Sequence, residues 1–178
     1  MNSPFSNLYE QLIARIKDQV PSIRYINQDL GQLENYNPST GRPSVTYPCI
    51  LIDFDNFTAN DLGEAAQTLE GEVIIRLALD TWTNASSLSS PELREKSLKY
   101  FDVEFDIYRS LSRWSADSLY DDNNELIAHY GALSRTATST EKRDDGLRVR
   151  VIKFQTSIED YSVTERLRKT AATAEITS

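Results

Sequence analysis

Five carboxylates occupy positions that two neighbouring strands would bring together: Asp53, Asp55, Glu70, Glu72 and Asp80. Acids on paired strands can hold a divalent cation, and in many magnesium-dependent nucleases a Glu-x-Lys on the second strand adds a lysine that supports the nucleophile. Here Glu70 is followed by Gly71 and Glu72, and Glu72 by Val73 and Ile74, so the lysine is missing. The acids therefore read first as the wet face of an amphipathic sheet. A divalent-metal-dependent nuclease using Asp53, Asp55 and Glu72 is kept as the enzymatic alternative.

Other catalytic vocabularies are thinner still. The single histidine, His129, excludes every multi-histidine metal site. No Gly-x-Ser-x-Gly elbow presents a serine nucleophile, and neither Gly-x-x-x-x-Gly-Lys nor Gly-x-Gly-x-x-Gly cradles a phosphate. Cys49, the one cysteine, follows Tyr47-Pro48 in an apolar run and reads as a buried structural thiol that rules out an intrachain disulfide. The expectation is a protein that is not an enzyme, with no catalytic residue, cofactor or resident metal.

Charge narrows the partners. Asp plus Glu number 27 against 19 Lys plus Arg, a formal net charge of −8. Such a balance argues against sequence-specific or general nucleic-acid binding and against docking on anionic lipid, both of which need basic surface. The start, Met1-Asn2-Ser3-Pro4, lacks the basic and apolar runs of a secretory signal, and the apolar runs at 49–52 and 73–75 are far short of a bilayer span. At 178 residues the chain predicts one domain over 1–160, able to bury its own core, and a flexible tail over 161–178, where periodicity ends.

The elements that must position these side chains follow from periodicity. Ser3 and Pro4 open a helix whose Phe5, Leu8, Leu12, Ile13, Ile16 and Val20 recur every three or four residues until Pro21. A short strand over 22–28 leads into a long loop at 29–43, functional or mobile. Strand 49–57 turns Ile50, Ile52 and Phe54 to one face and Cys49, Leu51, Asp53 and Asp55 to the other. It predicts a hairpin with the alternating run 69–83, where Leu69, Gly71, Val73, Ile75, Leu77 and Leu79 share a face. Ser89 and Glu92 fit a capping box for a second helix reaching about Trp114. Residues 115–125 read as a solvated loop and 126–140 as a strand, joined through Asp145-Gly146 to a last strand. In that last strand the apolar phase switches between Val151 and Ile152, which predicts a bulge or a second half buried on both faces. The fold class is α+β: a mostly antiparallel sheet of four to five strands with two long helices packed on one face.

The second helix carries two apolar seams. One is Leu98, Phe101, Phe105 and Tyr108; the other is Tyr100, Val103, Ile107, Leu111 and Trp114. Either the helix is deeply central, or the second seam packs on the first helix or on a neighbouring subunit. Tyr100, Val103, Ile107 and Trp114 are accordingly candidate contact residues. Arg143 and Arg148, with Arg150, mark either cross-strand pairing or a partner contact. The basic run at 166–169 reads as a solvated end or as an arm that orders on assembly.

The order of these pieces (helix 5–20, long loop, a strand opening Tyr47-Pro48-Cys49-Ile50-Leu51-Ile52, the long strand 72–79, helix 92–114, and a closing strand ending Arg150-Val151-Ile152-Lys153-Phe154) resembles the tail terminator, or head–tail joining and tail completion, proteins of long-tailed phages and prophages. The resemblance covers about residues 5–160. It implies a structural virion protein of the tail or neck, assembled in the bacterial host cytoplasm. Its partners would be copies of itself in a homo-oligomeric ring, typically a hexamer, the tail tube protein that the ring caps and the head connector protein that it meets. Glu70 and Glu72 would then line the lumen through which DNA passes. Another minor tail or baseplate component is the second structural alternative.

Overall fold

The computed structural model describes residues 3–37, 42–63, 65–80 and 85–164. Among the described residues, two helices, α1 (Pro4–Gln19) and α2 (Pro91–Leu111), accompany nine strands: β1 (Tyr25–Gln28), β2 (Tyr36–Asn37), β3 (Arg42–Pro43), β4 (Cys49–Gly63), β5 (Ala66–Leu79), β6 (Leu119–Tyr120), β7 (Leu126–Tyr130), β8 (Ser134–Glu141) and β9 (Arg148–Asp160). Seven strands form one sheet in the order β1-β4-β5-β9-β7-β6, with β8 also paired to β9; β2 and β3 make a separate two-stranded ribbon. The fold is α+β as the sequence predicts, but its sheet is larger than the four to five strands expected.

Both helices pack on one face. Leu8, Leu12, Ile16 and Val20 of the first helical segment meet Ile50 and Ile52 of β4, Val73, Ile75, Leu77 and Leu79 of β5, and Ile152, Phe154 and Ile158 of β9. Burying each of these aliphatic side chains contributes about 1.5–3 kcal/mol relative to exposure. Ser3 caps α1, its hydroxyl accepting from the Ser6 N–H at 3.1 Å, with Pro4 in the first turn. The cap of α2 is Ser90 rather than Ser89, because Pro91 takes the first helical position directly after it. That helix stops at Leu111, short of Trp114, since Arg113 (φ 61°) reverses the chain and donates its N–H to the Leu133 carbonyl at 2.9 Å.

β1 runs parallel to β4, Tyr25 opposite Cys49 and Gln28 opposite Ile52, whereas the other pairings in the sheet are antiparallel. A parallel pair demands a crossover, and this explains the length of the segment predicted as a loop. The described part of 29–48 crosses the sheet face remote from the helices. There Leu33, with Val45 and Tyr47, covers Cys49, Leu51, Ala78 and Val149 in a second, smaller core. The described part of the predicted loop thus covers that core.

β9 keeps unbroken register with β5 from Arg148 opposite Leu79 to Asp160 opposite Gln67. The predicted bulge is absent from this ladder, and the second half is not buried on both faces. The apolar phase changes because the early part of β9 sends Val149 into the small core, and the later part sends Ile152, Phe154 and Ile158 into the large one. Its other edge is shared: β7 pairs at 158–160 and β8 at 149–155. The run 126–140 is accordingly two strands, parted at Gly131, whose missing side chain leaves room for Ser157. Residues 119–120, inside the expected solvated loop, add the short β6. From 165 onward the expected tail lies outside the described residues. No described helix is long and apolar enough to cross a membrane.

Candidate subunit interface

The inward face of α2 is less apolar than its sequence suggests. Glu104 is buried and forms a two-point ion pair with Arg150 of β9, at 2.6 Å from Nε and 3.0 Å from Nη2. Arg148 lies over the Tyr100 ring at 5.0 Å and Arg135 of β8 over Tyr108 at 3.8 Å. Cations from the sheet therefore seat the helix, through charge-assisted bonds and ring faces, where a conventional core would use aliphatic contacts.

Because polar Ser97, Glu104 and Ser110 take inward positions, the helix turns its other seam to solvent. Leu98, Phe101 and Phe105 are 40%, 45% and 55% exposed. Ile107 and Leu111 are fully buried, so Ile107 belongs to the core and presents nothing to a partner. Trp114, Tyr100 and Val103 pack against that core from the side. Tyr100 and Val103 also line a cleft of about 750 Å³ with Arg24, Lys96 and Lys99. The apolar stripe free to meet a partner is thus the first seam, less Tyr108, and it was legible only as one of two.

The stripe borders β8. Arg150, which also donates to the Thr140 hydroxyl of β8, sits 5.6 Å from the Phe101 ring. Residues 134–140 of β8 are all exposed, and among the described residues the strand pairs only with β9. A row of backbone N–H and C=O groups beside exposed phenylalanines is the arrangement that soluble chains ordinarily guard.

Arg143 is occupied within the chain. Its guanidinium, 8% exposed, donates to Glu141 at 2.7 Å, to Asp145 at 2.8 Å and to the Leu33 carbonyl at 2.6 Å. Arg76 completes the network with Asp29 at 2.8 Å, Glu34 at 2.7 Å and Glu141 at 2.8 Å. Burial opposes its charge, yet the carboxylates of Glu34, Asp29 and Glu141 hold Arg76 above the ordinary guanidinium value. The network ties the crossover segment to β5 and to the β8–β9 turn. Within the chain, Arg143 pairs with Glu141 and Asp145, and Arg148 stacks on Tyr100.

Glu34 senses that network. The bond from Arg76 holds its carboxyl below the usual 4.5. Its stabilising effect is therefore complete above 4.5 and is lost as pH falls through the lowered folded-state value. Thermal melting should show the loss in acid, and Glu34→Gln should make the curve shallower there. With Glu34 half exposed, the effect is under about 1 kcal/mol.

Glu70 and Glu72 lie on the sheet face away from the helices, with Asp53 and Asp55. Glu72 stands opposite Asp55 and accepts from Lys153 at 2.9 Å, which lowers its pKa. Among the described residues no three His, Cys, Asp or Glu side chains gather to hold a metal ion. Cys49 is fully buried and its thiol is pushed up to about 11 by that burial. His129 meets the Ser118 hydroxyl through Nδ1 at 3.0 Å.

No protein-family model and no curated protein sequence matches this chain. Among solved structures, a chain in the virion of a native gene transfer agent particle is similar in outline, at 8% identity and a TM-score of 0.48, over 89% of this chain and 99% of that one.

Proposed function

We propose that this chain is a structural virion protein that assembles with copies of itself into a ring, acting as a tail terminator that caps the tail tube and meets the head connector. The observation that carries the reading is the stripe Leu98, Phe101 and Phe105, exposed along α2 beside the exposed strand β8. A contiguous apolar stripe of this kind on the surface of an acidic chain marks an assembly face. The order of elements, which resembles the terminator family, supports the same reading. The acidic sheet face bearing Glu70 and Glu72 suits a lumen that DNA must traverse without sticking.

Light scattering behind size exclusion tests the ring. The expected mass is a multiple of 20.2 kDa, and a monomer at high concentration would sink the proposal. Labelling the protein in assembled particles tests its position: label at the head–tail junction is expected, and label at the distal end would favour a baseplate component. Charge reversal of Glu70 and Glu72 is expected to lower infectivity without changing ring mass; unchanged DNA ejection would count against the lumen assignment.

A further inference from the structure

We infer that the β4–β5 turn of one copy, led by Asp61 and Leu62, seats in the cation-lined cleft beside α2 of the next copy. The inference rests on the ring reading above and names a contact within it. The cleft of about 750 Å³ lies where Pro48 leads into β4 and Leu79 ends β5, with Val103 and the Tyr100 ring in its lining. Arg24, Lys96 and Lys99 line it against one acid, Asp80. All three cations are exposed, and among the described residues none of them forms an ion pair. Apolar walls between three such cations suit an apolar side chain flanked by a carboxylate.

The opposite end of the sheet carries that combination. Leu62 is 52% exposed, and the Asp61 carboxylate beside it shapes the turn by accepting from the Gly63 N–H at 2.8 Å. The β6–β7 turn adds Asp121, Asp122 and Glu125 at the same end, because Ala128 of β7 pairs with Asp160, itself opposite Gln67 of β5. No lysine or arginine occurs in 56–70, 115–130 or 155–164.

A copy cannot fill its own cleft. The 15 residues of β4 separate the two ends by roughly 45 Å. A contact between such unlike ends is heterologous, and it closes into a ring when the rotation per copy allows. It also leaves the stripe available. At about 100° per residue, positions 96, 99, 100 and 103 lie on the opposite flank of α2 from 98, 101 and 105. The chain's own C-terminal run has the wrong sign for this cleft, with Arg166, Arg168 and Lys169 against Glu165 and Glu175.

Cysteine pairing and charge exchange in the full-length chain test the contact. Cys49 is buried, so introduced thiols report alone. Leu62→Cys is combined in turn with Ser22→Cys, Lys96→Cys or Lys99→Cys, all at exposed positions. Mild oxidation should convert at least one of these combinations into a reductant-sensitive ladder that ends at the ring size, while single-cysteine chains stop at dimers. Without oxidant, Lys96→Glu with Lys99→Glu should weaken assembly about tenfold, and adding Asp61→Lys should restore most of the loss. An oligomer that gives no ladder from any combination would overturn the turn-in-cleft contact and leave the ring standing. A monomer throughout would overturn both. Lys99→Cys closing within one chain onto Ala172→Cys would assign the cleft to the chain's own tail, and the inference fails.

Discussion

Replacing Phe101 and Phe105 together by aspartate is expected to abolish assembly while leaving the fold intact. Both rings project from α2 into solvent, touching mainly Tyr100, Tyr108, Arg109 and Arg150. Surface changes of this sort move stability by about 0.5 kcal/mol each, so melting of the isolated chain should shift by only a few degrees. In an interface the same substitutions would remove two aromatic anchors and place two charges where water is excluded. At about 2 kcal/mol or more for each anchor, affinity between copies falls by a factor on the order of 10³. Light scattering reads the result directly. Phe101→Leu with Phe105→Leu should retain assembly, and Ile107→Asp, aimed into the core, should unfold the chain instead. An assembled double aspartate variant would remove the stripe from the interface.

The second large effect is expected at Gly71. This residue lies on the helix-facing side of β5, opposite the irregularity in β4 between Asp55 and Thr58. There Asn56 adopts φ 54°, and the Phe57 ring lies across the glycine while meeting Phe5 edge-on at 5.0 Å. A β-carbon on Gly71 would stand 2.5 Å from the Phe57 ring and 2.8 Å from the Phe57 Cα. A rotamer change relieves the first clash but not the second, because the second is with backbone. Gly71→Ala should therefore cost about 3 kcal/mol, the upper end for overpacking, which lowers Tm by roughly 6–12 °C in a chain of this size. Combining it with Phe57→Ala should recover only part of the loss in a double-mutant cycle. Full recovery would mean that the ring alone sets the constraint, and an unchanged Tm for the single variant would refute the close approach.

Gly71 also shows what a pattern in sequence conveys. In the alternation Leu69, Gly71, Val73, Ile75, Leu77, Leu79 it holds a core-facing place, and the structure keeps it there. The reason for glycine at that place is Phe57, fourteen positions earlier in the chain, and no spacing rule connects the two. The same holds for Arg76. Its position among alternating residues marks the wet face, whereas its three acidic partners come from 29, 34 and 141.

The candidate site was half legible for a related reason. Period 3.6 places apolar residues on α2 but does not choose which of two seams faces inward. That choice was made by Arg148 and Arg150, whose interactions with Tyr100 and Glu104 turn the polar positions 97, 104 and 110 toward the sheet. Side-chain identity within one helix carries no information about cations on a strand some fifty residues later.

Local periodicity, capping residues and turn chemistry were enough to determine from sequence both helices, the β4–β5 hairpin, the β8–β9 hairpin and the large core between sheet and helices. Each depends on residues close together in the chain, where geometry is short-range. Only the tertiary structure decided that β1 runs parallel to β4, that the described part of 29–48 covers a second core, and that among the described residues β8 has β9 as its one neighbour. These depend on which strands lie side by side. That is set by the packing of distant segments into one close-packed core, and a strand's own residues do not record whether its second edge will find a neighbour.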